Sequence, residues 1–322
     1  MSEKKLLVIA LGGNAIKQAE DKGTTEEQFH NVDVTAQHII EIVRMGYRIA
    51  VTHGNGPQAG ALLIQQEEGE PYVPTQSLAC CGAMTQGQIG WMIQNRIAYW
   101  AEKSEVVVPV CTVVTQVEVD ANDPDFKDPS KPVGPFYTQG QALELRKTKG
   151  YVVKEVKPRV EKGWRRVVPS PEPLEIVERE VITNLLRAGT LVVASGGGGI
   201  PVAKNGDGSY KGVNCVIDKD RAGFKLAQAV EADQFLILTD TENAMINYNT
   251  PGEQPLERIT ADQAEMYLRE GHFLKGSMEP KVDAAIRFAR WRQGEAIITS
   301  LHKAVEALQG QTGTHIVAST SN

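Results

Sequence analysis

Apolar residues fall in short blocks along this chain, and the blocks alternate between two spacings. Leu6–Leu11 is an unbroken apolar run that ends at Gly12-Gly13. A run of that length, closed by glycine, predicts a strand buried on both faces. Val32, Ala36, Ile39, Ile40 and Val43 then recur at helical spacing, and Gly46 stops that helix. Residues 49–52 predict the next strand, and 58–67 a helix after a glycine-rich turn. Residues 84–102 predict a long helix and 106–115 a central strand. Further on, Val177, Val181 and Leu185 mark a helix, and 191–194 a strand. Ala222, Leu226, Ala229 and Val230 mark another helix, followed by a strand at 235–239. Val282, Ala285, Ile286 and Ala289 share one helical face, and 296–299 and 315–317 are late strands. This order predicts an α/β fold, a three-layer αβα sandwich with a mostly parallel central sheet.

Residues 118–168 break the rhythm. They hold Pro124, Pro129, Pro132, Pro135 and Pro158, many charges, and two β-like runs at 151–155 and 165–168. The stretch reads as an insertion, a small protruding subdomain; a plain surface loop and an ordered flap both remain open on these residues alone.

Composition adds exclusions. The chain has 322 residues, 41% hydrophobic and 23% charged, with a net charge of −6. That is globular, and its acidic balance speaks against a nucleic-acid backbone as the partner. The first apolar run is too short for a membrane span and has no cleavage pattern after it, so the expectation is a cytoplasmic protein without a membrane partner. Cys80, Cys81, Cys111 and Cys215 show no CxxC spacing, and no histidine pair has metal spacing. Buried thiols in a reducing compartment are expected, and no direct metal ligand.

The chemistry sits at the strand ends. Three glycine-rich segments each follow a strand: Gly12-Gly13-Asn14, His53-Gly54-Asn55-Gly56, and Ser195-Gly196-Gly197-Gly198-Gly199. Glycine lets backbone approach a ligand closely, and helix-start N–H groups favour anions. One such loop often makes only a turn. Three in one sheet point to a bound phosphate or carboxylate at the carboxyl edge. His53 lies inside a candidate loop, where a structural role suits it as well as substrate contact. There is no G-x-x-x-x-G-K-[ST], no G-x-G-x-x-G after the first strand, and no protein-kinase signature. Lys131 lies in the insertion, Lys219 and Asp220 just before an amphipathic helix, and Lys281 at a helix start beside Pro280. A lysine at the positive end of a helix dipole is locally unfavourable, which makes sense where an anion shares the site. For each lysine singly, a solvated helix end remains open.

Six strings occur in order from residue 10 to 281: Ala-Leu-Gly-Gly-Asn-Ala, His-Gly-Asn-Gly-Pro-Gln, Lys-Pro-Val-Gly-Pro-Phe-Tyr, Gly-Gly-Gly-Gly-Ile-Pro-Val, Val-Ile-Asp-Lys-Asp and Gly-Ser-Met-Glu-Pro-Lys. Together they resemble the carbamate kinases, a branch of the amino acid kinase family. Ile297-Ile298-Thr299-Ser300 is similar to the family's last core strand, so the resemblance spans nearly the whole chain. It implies reversible phosphoryl transfer between ATP and carbamate, with Mg²⁺ carried by the nucleotide. ADP and carbamoyl phosphate would give ATP, often the physiological direction, at the end of arginine or purine-derivative breakdown.

The resemblance also implies site roles. Gly12, Gly13 and Asn14 would hold the transferring phosphoryl group, and Gly54, Asn55 and Gly56 the carbamate, with Gly196 and Gly197 in the third loop. Lys131 would reach over the acceptor side. Lys219 and Lys281 would contact the phosphates, and Asp220 would orient the lysines. Asp240, Tyr248, Ser277 and Met278 would serve the nucleotide. Residues 1–190 would form an N-terminal lobe for acceptor and phosphoryl group, carrying the subdomain at about 118–168. Residues 191–322 would form a C-terminal nucleotide lobe, and the protein would be a homodimer. Glu279 and the segment Thr241-Glu242-Asn243-Ala244 depart from the pattern and carry no assigned contact. Rival readings are another carboxylate kinase of the family, a non-catalytic nucleotide-binding module of the same fold, and a nicotinamide-dependent oxidoreductase. The Lys131 segment disfavours the first, the full lysine set the second, and the glycine spacing the third.

Overall fold

The run Leu6–Leu11 is the spine of the molecule. The structure is a computed structural model describing residues 4–319. Leu7 to Leu11 are all fully buried, because this strand is covered on both faces. Its alternate side chains serve different cores. Leu6, Val8 and Ala10 enter one apolar cluster, and Leu7, Ile9 and Leu11 enter the other. This is the period-two consequence of a strand with helices above and below.

The strand lies inside an eight-stranded sheet. In spatial order the strands are Arg258–Thr260, Thr314–Val317, Glu295–Ser300, Gln234–Thr239, Leu6–Leu11, Arg48–His53, Leu191–Val193 and Val110–Thr112. All neighbours pair parallel except Glu295–Ser300 with Thr314–Val317. The helices are α1 (Thr25–Arg44), α2 (Gly56–Gly69), α3 (Leu78–Lys103), α4 (Gln139–Lys149), α5 (Arg179–Arg187), α6 (Lys219–Ala229), α7 (Ala261–Arg269), α8 (Met278–Arg292) and α9 (Ala304–Leu308). One cluster carries the buried faces of α1, α3 and α9, the other those of α5, α6, α7 and α8. The result is the three-layer αβα sandwich that strand–helix alternation predicts.

Local sequence explains the helix starts. Thr24 accepts from the Glu27 N–H, and Glu27 returns a bond to Thr24, a capping box that opens α1. Ser77 caps α3, so that helix begins six residues earlier than residue 84. Within α3, Ile89, Met92 and Ile93 are core, whereas Trp91 is 54% exposed.

Two sequence expectations need correction. Residues 106–115 do not form a central strand. Only Val110–Thr112 pairs, and it lies at the sheet edge. Pro109 has no N–H to donate, and Val107 is 99% exposed. The buried face of α5 is Ile182 and Leu186, not Val181, which is 54% exposed. Both rows have helical spacing, and only the sheet beneath chooses between them.

Residues 131–168 form a small α/β unit. Lys131–Tyr137, Trp164–Val168 and Val153–Glu155 pair antiparallel in that order. With α4 they enclose a minor core of Tyr137, Ala142 and Val153. Neither α4 nor the strand Lys131–Tyr137 is predicted from the sequence. Its prolines hide it, and they are tolerated because it is an edge strand. At the base of the unit, Asp125 accepts from the Ser170 N–H at 2.9 Å and Asp123 from the Glu172 N–H at 3.0 Å. A further sheet places Tyr210–Gly212, Ile200–Lys204, Gln116–Val119 and Pro173–Ile176 side by side.

Candidate active site

Parallel pairing brings the ends of Leu6–Leu11, Arg48–His53 and Leu191–Val193 to one rim. On either side of Leu6–Leu11 the chain leaves for different parts of the sequence, which makes a crevice at the carboxyl edge. The first two glycine loops are joined there, because the Gly54 N–H donates to the Leu11 carbonyl at 3.3 Å. The third is held from below. The Thr52 hydroxyl donates to the Ser195 carbonyl at 2.9 Å, and the Ser195 N–H donates to Thr115 Oγ1 at 2.9 Å. Gln86, buried on α3, donates to the Thr115 and Gly196 carbonyls, each at 3.1 Å.

The glycines of this loop are required by contact. A Cβ on Gly196 would lie 2.2 Å from His53 Nε2, and one on Gly197 would lie 2.2 Å from Asn55 Nδ2. Gly197 also has a φ of +68°, a left-handed backbone that favours glycine. Asn55 in turn donates to Thr85 Oγ1 at 2.9 Å. The second and third loops therefore interlock side chain against backbone.

Three lysines meet two aspartates on the facing wall. Asp220, 1% exposed, accepts from Lys219 Nζ at 2.6 Å with one oxygen and from Lys281 Nζ at 3.2 Å with the other. Lys281 also donates to the Ser277 carbonyl at 3.2 Å. Lys131, from the small subdomain, donates to Asp218 Oδ2 at 3.0 Å. Asp218 is the N-cap of α6. Burial pushes the Asp218 carboxyl up, but Lys131 and Lys219 outweigh it and hold it at about 2. Burial and the charge of Lys219 both push the Lys281 ammonium down, against the pull of Asp220. An anion arriving beside Lys281 offsets both.

These groups surround a cavity of about 690 Å³. Of the sequence-predicted residues, Gly13, Gly54, Asn55, Gly56, Lys131, Gly197, Lys219, Asp220 and Lys281 line it. Gly12 and Gly196 lie in the same loops without lining it; Gly196 covers the His53 ring. Asn14 is half-buried, and its carbonyl accepts from Gln18 Nε2 at 2.8 Å. Asp240, Tyr248, Ser277 and Met278 are not part of this lining. Asp240, Tyr248 and Ser277 are exposed, and Met278 packs against the larger core. Asp240 follows Gln234–Thr239 at the same rim.

His53 is 1% exposed, and its Nδ1–H donates to the Gly54 carbonyl at 3.0 Å. Burial, aided by Lys219, pushes its imidazole down to about 4. It supports the loops from within. Asn243 donates to the Leu256 carbonyl at 2.9 Å, and the Ala244 N–H donates to Thr314 Oγ1 at 2.9 Å. Glu279 sits in the first turn of α8, where a carboxylate complements the helix dipole.

Sequence reasoning missed four contributors. Thr85 and Gln86 lie in a helix that also carries Gln88, Gln94 and Asn95, and nothing local tells that these two face inward. Arg165 lines the cavity, its guanidinium anchored on the Gly134 carbonyl at 2.6 and 3.1 Å. Asp218 did carry a signal, an aspartate just ahead of an amphipathic helix, which marks an N-cap.

With four cationic side chains and two aspartates, the lining carries a positive balance suited to anionic substrates. Both aspartates are already engaged by lysines. The donor set therefore fits a divalent cation held by a nucleotide's own phosphates better than one bound directly by protein carboxylates. Among the described residues no cluster of three or more His, Cys, Asp or Glu forms a metal site.

A model of the amino acid kinase family matches residues 5–300. The chain is 54% identical over 316 residues to a carbamate kinase of Thermococcus kodakarensis, covering 97% of this chain and 99% of that protein. It is 50% identical over 315 residues to a carbamate kinase of Pyrococcus furiosus, with 97% and 99% covered. Among solved structures, it superposes on carbamate kinase from Giardia lamblia bound to AMP-PNP with a TM-score of 0.93. That pair is 43% identical, with 99% of this chain and 100% of that chain covered.

Proposed function

This chain belongs to the amino acid kinase family, and we propose from that premise that it transfers a phosphoryl group reversibly between ATP and carbamate. The observation that carries the reading is the convergence of Lys131, Lys219 and Lys281 with Asp218 and Asp220 on one cavity, facing three glycine loops.

The chemistry needs no general base. A carbamate oxygen is already anionic and attacks directly. The obstacle is one anion approaching another. At about 4 Å and an effective dielectric near 20, each unit charge pair is worth about 4 kcal/mol before desolvation. Lys219 and Lys281 are placed to meet that charge on the phosphates, and Lys131 on the acceptor. Backbone N–H groups of the loop at Gly13 are suited to the phosphoryl oxygens, and those at Asn55 and Gly56 to the acceptor. Asp220 holds two lysines at fixed spacing, so that their ammonium groups need little reorganisation. The remaining contribution is in-line positioning. Mg²⁺, carried by the nucleotide, supplies further neutralisation of phosphate charge.

Residues 1–190 carry the acceptor and phosphoryl loops, and 191–322 the nucleotide side, with Asp240, Tyr248, Ser277 and Met278 serving the nucleotide. Residues 131–168 act as a lid over the acceptor. The exposed apolar row Met84, Trp91 and Tyr99 on α3 supports a homodimer. No helix among the described residues is long and apolar enough to cross a membrane, and all four cysteines are free thiols, which supports a reducing cytoplasm.

The test is ATP formation from carbamoyl phosphate and MgADP, read by a coupled assay. Wild type turns over, and Lys281→Ala falls about 10²–10³-fold with its thermal midpoint retained. Absence of turnover with carbamoyl phosphate, together with turnover of an acyl phosphate such as acetylglutamyl phosphate, would overturn carbamate as the acceptor.

A further inference from the structure

Asp218 has two oxygens engaged in different tasks. Oδ1 caps α6, accepting from the Asp220 N–H at 2.9 Å and the Arg221 N–H at 3.4 Å. Oδ2 accepts from Lys131 Nζ at 3.0 Å, across 87 residues of sequence. Lys131 belongs to the small subdomain, whereas Lys219 and Asp220 directly follow Asp218 and hold Lys281. Asp218 therefore joins the subdomain's cation to the frame that carries the other two.

The cap alone does not account for an aspartate. Asparagine or serine caps a helix about as well, and a carboxylate at the edge of an anion-binding cavity repels the substrate. The negative charge is felt by Lys219 and Lys281 as well, but its direct ion pair is with Lys131. That lysine is 34% exposed and carries its charge on a flexible four-carbon stem, which samples many rotamers unless something fixes it.

We infer that Asp218 is a positioning residue for the transfer: it aims Lys131 at the acceptor side of the cavity and holds it in register with Lys219 and Lys281. The inference rests on the kinase reading above. The group that benefits is the small anionic acceptor, carbamate in one direction and the acyl phosphate in the other. The nucleotide, met by Lys219 and Lys281, is affected little.

Asp218→Asn tests this, because the amide oxygen still caps α6 while the charge is gone. Expected is a fall in kcat/KM for carbamoyl phosphate of about 10²-fold, the scale of a misplaced catalytic group. KM for MgADP stays within about threefold, as for an interaction that ADP binding does not use, and the thermal midpoint drops by only a few degrees, because the ion pair is lost while the cap is kept. In a Lys131→Ala background, Asp218→Asn causes no further loss, because it acts through the lysine. Wild-type kinetics in Asp218→Asn would reduce Asp218 to a cap. Faster turnover would make it a restraint on Lys131, and a multiplicative loss in the double variant would mean it acts by itself; each overturns the inference. A second measurement does not depend on activity. Acetic anhydride labelling of Lys131, read by mass spectrometry, speeds up in Asp218→Asn if the pair holds the ammonium in solution. Unchanged labelling overturns the inference even if the kinase assay succeeds. Faster labelling in an enzyme without carbamoyl phosphate turnover keeps the pair and removes the kinase reading with the positioning role built on it.

Discussion

His53 shows how a residue inside a glycine loop serves the fold from beneath it. Its ring fills the space under Gly196, and its pKa falls from 6.5 to about 4. The folded state therefore resists protonation while the unfolded chain accepts a proton near 6.5. Between these values the unfolded state binds more protons, so stability declines as pH falls from 6.5 toward 4 and levels below. The shift corresponds to roughly 3 kcal/mol. His53→Gln, whose amide can still donate to the Gly54 carbonyl, removes that contribution. Urea unfolding at pH 7.5 and 4.5 is expected to show a smaller drop in the variant by about 2–3 kcal/mol. Equal drops would mean that His53 is not buried neutral. Asp218 acts in a lower window. Its depressed pKa adds stability above 3.8 that is lost as pH falls toward 2. The glycine loops, Lys219 and Lys281 leave local marks, because each follows a strand or starts a helix, whereas Lys131 opens a strand in the insertion and is marked only by the resemblance of its segment. Asp218 and Gln86 are legible only as a cap and a polar residue, because their partners lie far away in sequence.

At the scale of elements, the subdomain is attached to the body through α2. The Tyr137 hydroxyl donates to Glu67 at 2.8 and 3.0 Å, and Lys149 pairs with Glu70 at 2.5 Å. Hydrogen bonds to a charged group contribute about 1.5–3 kcal/mol. Tyr137→Phe is therefore expected to raise amide exchange across residues 131–168 by about tenfold, while Leu6–Leu11 and Gln234–Thr239 stay protected. Hydrogen exchange with mass spectrometry checks it; unchanged exchange would put the attachment elsewhere, in the Asp123 and Asp125 clamp. This unit is where sequence reading was weakest. Its prolines and charges resemble a loop, and an edge strand with proline has almost no sequence signature. The same limit hid the edge position of Val110–Thr112, since an apolar run does not reveal how many neighbours its backbone will pair with.

For the whole molecule, α3 separates core from surface within a few residues. Ile89, Met92 and Ile93 are buried, while Met84, Trp91 and Tyr99 are 47%, 54% and 44% exposed. Such side chains on one helix are what the proposed homodimer would bury. Sedimentation velocity is expected to show a dimer that Trp91→Glu dissociates; a monomeric wild type would sink this. The αβα architecture itself was within reach of the linear pattern. Parallel strands covered on both faces must be continuously apolar, and their helices must carry one apolar stripe, so both leave periodic marks in the sequence. Glycine after a strand and lysine at a helix start are equally local marks of an anion site. What only the tertiary structure decided is which of these marks meet. Side-chain periodicity says that a residue points inward, but not what it faces. The pairing of Lys131 with Asp218, the shared hold of Asp220 on Lys219 and Lys281, and the place of His53 beneath Gly196 all follow from strand order and crossover, which no local pattern encodes.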